Sequence, residues 1–484
     1  MRKFFTDALY VQVLNLLIKP VWILVIDRAV QNFLPPQDYV AYYTWLSFTI
    51  LFVIVLDVGI NTYNNTHVAA DKSFMQTHLS SFLKVKLYLS MAYVFLVGIF
   101  AVLLGLPLQE FKLLALLTVY QIIVSFTQFF RSNITALGWY KKEGWLSISD
   151  RLATIVICAV FLWVPAFKPY FTVDLFIAIQ VIGIAISLLW SVMMLRPHLE
   201  EIHPALEKGL FKKILKETWP YALLVALMGI YTRIDVVMLR YLAVEGTLET
   251  DAYAMGYRLL DAASMMIAVF SGLLLPAFAS ALNKNEILKR LSHFAYGFIF
   301  LIAVPGVILS GLYAEEAMHL LYPDRNNAIA PNVFAWLMGV LPAIGLIYVF
   351  GALLTAAKEL KFLNRLALVV VLLNTIGNAI LIPNYGASGA SWATVGSQWI
   401  FAIGCLVFCY MKYSWKVNLT QIVKWCIWIG AIISIAIYVL PILGSWYRSV
   451  IALLTLSLII AFILGIAGLK EGKKVILERL SKSK

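Results

Sequence analysis

A chain of 484 residues that is 62% hydrophobic and only 13% charged, with a mean hydropathy of +0.87, is too apolar to fold in water. Soluble proteins are closer to half apolar and a quarter charged, so the class is an all-α polytopic membrane protein. The formal net charge of +13 is placed as a topology signal rather than as a nucleic-acid surface, as its distribution along the chain indicates.

Apolar runs of spanning length, about 20 residues each, recur about fourteen times, over 8–32, 39–62, 80–106, 110–136, 147–166, 173–195, 218–242, 251–281, 292–314, 330–357, 361–382, 388–412, 421–441 and 447–469. The fifth is the weakest, because Ser147, Ser149, Asp150 and Arg151 crowd its start. With Arg2 and Lys3 placed in the cytoplasm, alternate connections are rich in cations. These are Lys72, Lys84 and Lys86; Lys141 and Lys142; Arg196 through Lys216; Lys284, Lys289 and Arg290; Lys358, Lys361 and Arg365; Lys412, Lys416 and Lys424; and the tail from Lys470 to Lys484. The opposite connections hold scattered cations such as Lys112, Lys168, Arg325 and Arg448. The asymmetry puts both termini on the cytoplasmic side of the cytoplasmic (inner) membrane and supports an even number of spans.

The longest polar connection, 196–217, divides the chain. It separates an N-terminal six-helix lobe, 1–196, from a second six-helix lobe, 218–412, across a cytoplasmic linker at 197–217. Two further helices and a basic tail fill 413–484. Glu207, Phe211, Ile214 and Leu215 have the spacing of a short amphipathic helix on the inner membrane face, with a solvated linker as the equal alternative. The two lobes echo one another. Ile26-Asp27, Phe33-Leu34, Tyr39, Ala41 and Tyr42 match Ile234-Asp235, Tyr241-Leu242, Asp251, Ala252 and Tyr253; Thr135-Ala136 with Lys141 and Lys142 match Thr355-Ala356 with Lys358 and Lys361. Parallel six-helix repeats are a transporter architecture with a substrate cavity between lobes.

Ionisable residues inside apolar runs are costly in lipid, which makes them candidates for function. Lys19 lies near mid-membrane in the first span, and Pro20 after it is expected to kink the helix. It reads either as a cation lining a cavity or as a lysine satisfied by a neighbouring carbonyl or carboxylate. Arg131 follows Gln121, Ser125 and Gln128 on a polar stripe of the fourth span, which reads equally as a wet face or as polar helix packing. Arg233 and Asp235 are two residues apart and point to different sides of the seventh span. Arg258 and Asp261, three apart, can pair, as a neutralised ion pair or as part of a substrate site. Asp27 and Asp57 read as caps or interface anchors, with Asp27, Asp235 and Asp261 also the candidates for gating or ion coupling. Tyr231, Tyr253 and Tyr257 sit where they could stack on sugar rings.

Asn374, Asn378 and the stretch NYGASGASWATVGSQ (384–398) read as a helix-packing hairpin, whose Gly386, Gly389 and Gly396 permit close contact and a tight turn. No nucleotide-binding loop and no metal-ligand spacing of histidines occurs. Cys158, Cys405, Cys409 and Cys426 all lie in apolar runs and read as buried small residues. No cofactor, no metal and no enzymatic activity is expected.

The run NxxxNxxLIPNYGASGASWAT (374–394) resembles a hairpin of the Wzx-type oligosaccharide flippases, a polysaccharide transporter family of the superfamily that also holds the MATE exporters and MurJ. YTRIDVVMLRYL with DAYAMGYRL (231–259), DRAVQNFLPPQDYVAYYTW and LDVGIN (56–61) fit the same pattern, and the resemblance covers 8–469. It implies two six-helix bundles around a V-shaped cavity and two extra C-terminal helices. The implied activity is alternating-access translocation of an undecaprenyl-pyrophosphate-linked oligosaccharide, an O-antigen, capsule or exopolysaccharide unit. Polysaccharide assembly proteins and membrane lipids are the implied partners. A pyrophosphate needs a cationic cavity, and Lys19, Arg131, Arg233 and Arg258 could supply one. The alternatives are a lipid II flippase, a cation-coupled multidrug exporter and, as a different class, a membrane-bound glycosyltransferase or polymerase.

Overall fold

The computed structural model describes residues 2–199, 209–325 and 327–466, and all regular structure among them is helical. The basic tail from Lys470 and most of the polar connection, Glu207 included, lie outside the described residues. The chain divides into two compact units, Lys3–Asp251 and Ala252–Lys484.

In the first unit, α1 (Arg2–Val21) continues as a π-helix over Trp22–Asp27 into α2 (Arg28–Phe33). Pro20 therefore does not break the first span; the helix absorbs it and widens just beyond, a distortion that recurs at functional sites. The second span is broken. α3 (Pro36–Leu51) is followed, after a turn at 52–53, by α4 (Ile54–Asp57) and α5 (Ile60–Ala70), which together run at 46° to it. A second interruption separates α4 from α5, where Val58 adopts φ 44° and Gly59 φ 86°. A β-branched residue in the left-handed region costs about 1–3 kcal/mol unless its surroundings enforce it. The unit continues with α6 (Ser73–Leu103), α7 (Phe111–Ala136), α8 (Tyr140–Trp163), α9 (Val173–Leu199) and α10 (Leu210–Leu242).

The second unit is led by α11 (Gly246–Ala279), which begins just before it, and α12 (Asn285–Leu312). A short α13 (Ala314–Leu321) precedes the tenth span, assembled from α14 (Ala330–Met338), α15 (Leu341–Leu346), a π segment at Ile347–Gly351 and α16 (Ala352–Ala356). α17 (Leu360–Lys412) contains two expected spans joined at Gly386, whose φ 53° and ψ −133° turn the chain. Gly389 beside it allows the close approach foreseen for this stretch: a Cβ there would stand 2.5 Å from the Leu381 carbonyl oxygen. α18 (Leu419–Tyr438) and α19 (Trp446–Leu464) pack on α12 around Trp428, Ile432 and Leu453.

Among the described residues, each of the fourteen expected spans lies largely on helix. Ten of the described helices are long and apolar enough to cross a membrane, or eleven if the bent pair in the second span counts as one. The principal difference from expectation is where spans begin. α6, α8, α10 and α12 start at Ser73, Tyr140, Leu210 and Asn285, each about two turns before the apolar run. Each belongs to a basic connection whose lysines ride on the first turns of the following helix. For the same reason Phe211, Ile214 and Leu215 form no separate amphipathic helix; they open α10, and Ile214 is buried.

A basic cluster in the first unit

Three helices of the first unit carry cations that influence one another. The charges acting on Lys19 of α1 are Arg131 of α7, Arg151 of α8, and the carboxylates Asp150 and Glu143 of α8. Each has a definite posture. Arg131 donates from Nε (3.0 Å) and Nη2 (2.5 Å) to the same oxygen of Glu143. Arg151 pairs with Asp150 at 3.5 Å, donates to the Tyr120 hydroxyl at 3.4 Å and lies over the Trp22 ring at 5.0 Å. Lys19 is half-buried, and its ammonium has no hydrogen-bond or ion-pair partner among the described residues. Counted with Lys19, these residues are three cations and two carboxylates, 3 − 2 = +1, and Lys19 is the cation whose ammonium has no hydrogen-bond or ion-pair partner among the described residues.

The sequence builds this locally. Of the polar residues that weaken the fifth span, Ser147 and Ser149 are buried on α8 and Asp150 and Arg151 are half-buried. The Asn15 amide of α1 donates to Ser147 Oγ at 2.9 Å, fixing the register of α1 against α8 one turn before Lys19. The π segment then follows, and Trp22 within it forms the floor beneath Arg151. Chemically, a partly desolvated amine beside two guanidinium groups is suited to an anion with several oxygens; Arg supplies planar forks and Lys a mobile point charge.

Of the residues expected at the site, Lys19 and Arg131 come together here. Arg233 stands elsewhere on the first unit, half-buried on α10, with Nη1 at 3.5 Å from the Tyr43 hydroxyl. Asp235 and Tyr231 on the same helix are buried. Asp27 is buried in the π segment, where it accepts from the Tyr39 hydroxyl at 3.1 Å. Asp57 caps α5 by accepting from the Asn61 amide at 3.1 Å, the role read from its position. The stripe on α7 divides. Gln121 and Ser125 are buried between helices while Gln128 is exposed.

In the second unit Arg258 is buried on α11 and Asp261 half-buried one turn later, within electrostatic range of Tyr348 in the π segment of the tenth span. Tyr253 shares a hydrogen bond with Thr394 at 3.0 Å, and Asn374 donates to Ser397 at 3.3 Å and receives one from Asn378 at 3.2 Å. These bonds tie α11 to α17 and the two arms of α17 to each other.

Arg151, Glu143 and Asp150 were not among the expected site residues. The signal was present, since Asp150 and Arg151 fall inside an apolar run, but it reads as a weak span rather than as a charged interior face.

Residues 8–282 match the profile of a family described as polysaccharide biosynthesis protein. Two Helicobacter pylori proteins, each named probable lipid II flippase MurJ, are 27% identical over 215 residues and 28% over 219. These alignments take in 42% and 43% of this chain, and the chain spans 45% of the length of each relative. Among solved structures, a lipid II flippase MurJ in an inward closed conformation superposes with a TM-score of 0.65 at 14% identity, covering 98% of this chain and all of its own. A multidrug resistance MATE family transporter of the MOP superfamily, in an inward-facing conformation, gives 0.64 at 14% identity over 83% of this chain and 98% of its own. The fold is therefore the one these two structures share, and with a profile match over more than half of its 484 residues, the chain belongs to the polysaccharide biosynthesis protein family.

Proposed function

We propose that this protein is a flippase that carries an undecaprenyl-pyrophosphate-linked oligosaccharide across the cytoplasmic membrane by alternating access, with both termini in the cytoplasm. The observation that carries this reading is the basic cluster. A surplus cation on Lys19, within a membrane-spanning unit and with no anionic partner of its own, costs free energy that a bound anion would recover. A pyrophosphate offers the oxygens for Lys19 and for the outer faces of Arg131 and Arg151. Family membership supports the glycan side of the assignment. A cation-coupled drug exporter fits less well, because a net positive cluster repels the cationic compounds such exporters take.

The second reading is lipid II as the substrate, favoured by the two Helicobacter pylori relatives. Both readings share the pyrophosphate and differ in the sugar. The test is a leaflet assay in proteoliposomes with labelled lipid-linked oligosaccharide and, separately, lipid II. Lys19→Gln is expected to lose translocation of the preferred substrate at least tenfold while reconstituting as well as the wild type. Undiminished translocation in that variant would remove the cluster from the mechanism. Recovery of a chemically altered lipid-linked sugar would mark an enzyme of the glycosyltransferase or polymerase class instead.

A further inference from the structure

The most completely buried cation among the described residues lies outside the basic cluster. Lys86, on α6, is 1% exposed, and its surroundings are oxygen atoms at the break of the second span. Its ammonium donates to the Leu56 carbonyl at 3.0 Å and to Ser125 Oγ at 2.7 Å, and stands 3.8 Å from Asp57 Oδ1. Phe126 and Phe129 close the other side, each ring centroid 5.8 Å away.

These oxygens exist because the helix stops. In a continuous helix the Leu56 carbonyl would accept from the amide of Ile60. The left-handed turn at Val58 and Gly59 removes that donor, and no water reaches a membrane interior to replace it. The break leaves two carbonyls to be met by three other helices of the unit, and a helix start that the span caps itself. Lys86 of α6 and Ser125 of α7 both donate to the Leu56 carbonyl, the latter at 3.1 Å. Thr218 of α10 donates to the Val58 carbonyl at 3.1 Å. Asp57 itself caps α5. A carbonyl, a hydroxyl and a carboxylate around one positive charge are the donor set with which proteins hold small hard cations.

We propose that the Lys86 ammonium is a tethered replacement for a dissociable monovalent cation, filling an oxygen cage that holds the second span interrupted at Val58 and Gly59. The cation requirement of this cage is met from within the chain, so the interruption persists whatever ions surround the protein. It follows that removing the side chain while leaving Leu56, Asp57 and Ser125 in place creates a site for a free monovalent cation. This inference does not depend on which glycan is carried.

The experiment is a melting series on the purified full-length protein in detergent, with sodium, potassium, ammonium or choline chloride at one ionic strength. The wild type sets the baseline response to each salt. Lys86→Ala is expected to melt lower than the wild type in choline and to regain part of the loss in potassium or ammonium. Adding Asp57→Asn to Lys86→Ala should abolish that recovery, since the cage then lacks its charge. Lys86→Ser, which leaves a smaller void, should behave as Lys86→Ala does. An equal loss in all four salts would overturn the proposal and leave Lys86 as a structural strut. Failure of both single variants to fold even in potassium or ammonium would also overturn it, because the refilled cage should restore the interrupted span.

Discussion

Single residues in this protein acquire their meaning from the helix opposite them. Arg131 and Lys19 have the same standing in the sequence, as cations in apolar runs, yet Arg131 is engaged by Glu143 while Lys19 is not. Glu143 is only 13% exposed and Arg131 25%, so neither is well solvated once its partner is gone. Glu143→Gln is therefore expected to cost about 1.5–3 kcal/mol, the range for hydrogen bonds to charged groups. The paired substitution Arg131→Gln with Glu143→Gln should recover part of that, since it no longer strands a charge. Unfolding of Glu143→Gln, Arg131→Gln and the double variant in detergent measures the coupling. Strictly additive losses would mean that the bond seen here contributes nothing. Lys86 makes the complementary point. By charge counting it belongs with Lys72 and Lys84 in a polar connection, yet it is buried two turns from that connection's edge. Hydropathy averages over a window and does not register that α6 begins at Ser73 and that a broken neighbour presents a bare carbonyl to position 86.

At the scale of elements, the glycine-rich hairpin was legible and the broken second span was not. Gly386, Gly389 and Gly396 occur within a run of small residues, a pattern with one common physical use, and the structure employs two of the three. Gly386 makes the turn and Gly389 meets the Leu381 backbone, whereas nothing lies within 4 Å of a Cβ at Gly396. Gly389→Ala is accordingly expected to destabilise the protein by about 1–3 kcal/mol, the cost of overpacking a tight contact. Gly396→Ala should be neutral or slightly stabilising, because alanine is the better helix former. Melting temperatures of the two variants, compared side by side, check this; equal effects would contradict the packing seen at Gly389. The break at residues 52–59 gave no such warning. Its single glycine lies among valines, isoleucines and leucines that favour extended or helical backbone without interruption. What holds Val58 at φ 44° is supplied by Lys86, Ser125 and Thr218 from three other helices, beyond the reach of any local pattern.

For the molecule as a whole, the order of spans was readable because lipid imposes a length on every apolar run, and each expected run lies largely on helix among the described residues. The lysines that mark alternate connections were readable for an independent reason, the bias against carrying cations across a membrane. Together these arguments predict a sidedness for each connection, and α8 offers a direct trial. Its two flanks are short and exposed. Lys141 lies in a connection read as cytoplasmic, while Lys168, over the Phe33 ring at 5.4 Å, lies in one read as external. With the four native cysteines replaced, Lys168→Cys should react with a membrane-impermeant maleimide added to intact cells, and Lys141→Cys only after the membrane is opened. Cys426 must be among those replaced because it alone of the four is exposed. Reaction of both positions from the same side would mean that α8 does not cross, breaking the even count on which the common location of the termini rests. Reversed labelling would preserve the spans and invert the protein, and a flippase loading its substrate at the opposite face would then have to be considered. The expected result places the basic first turns of α6, α8, α10 and α12 on the side where lipid-linked sugars would be loaded, with Lys19 reached from that side along α1.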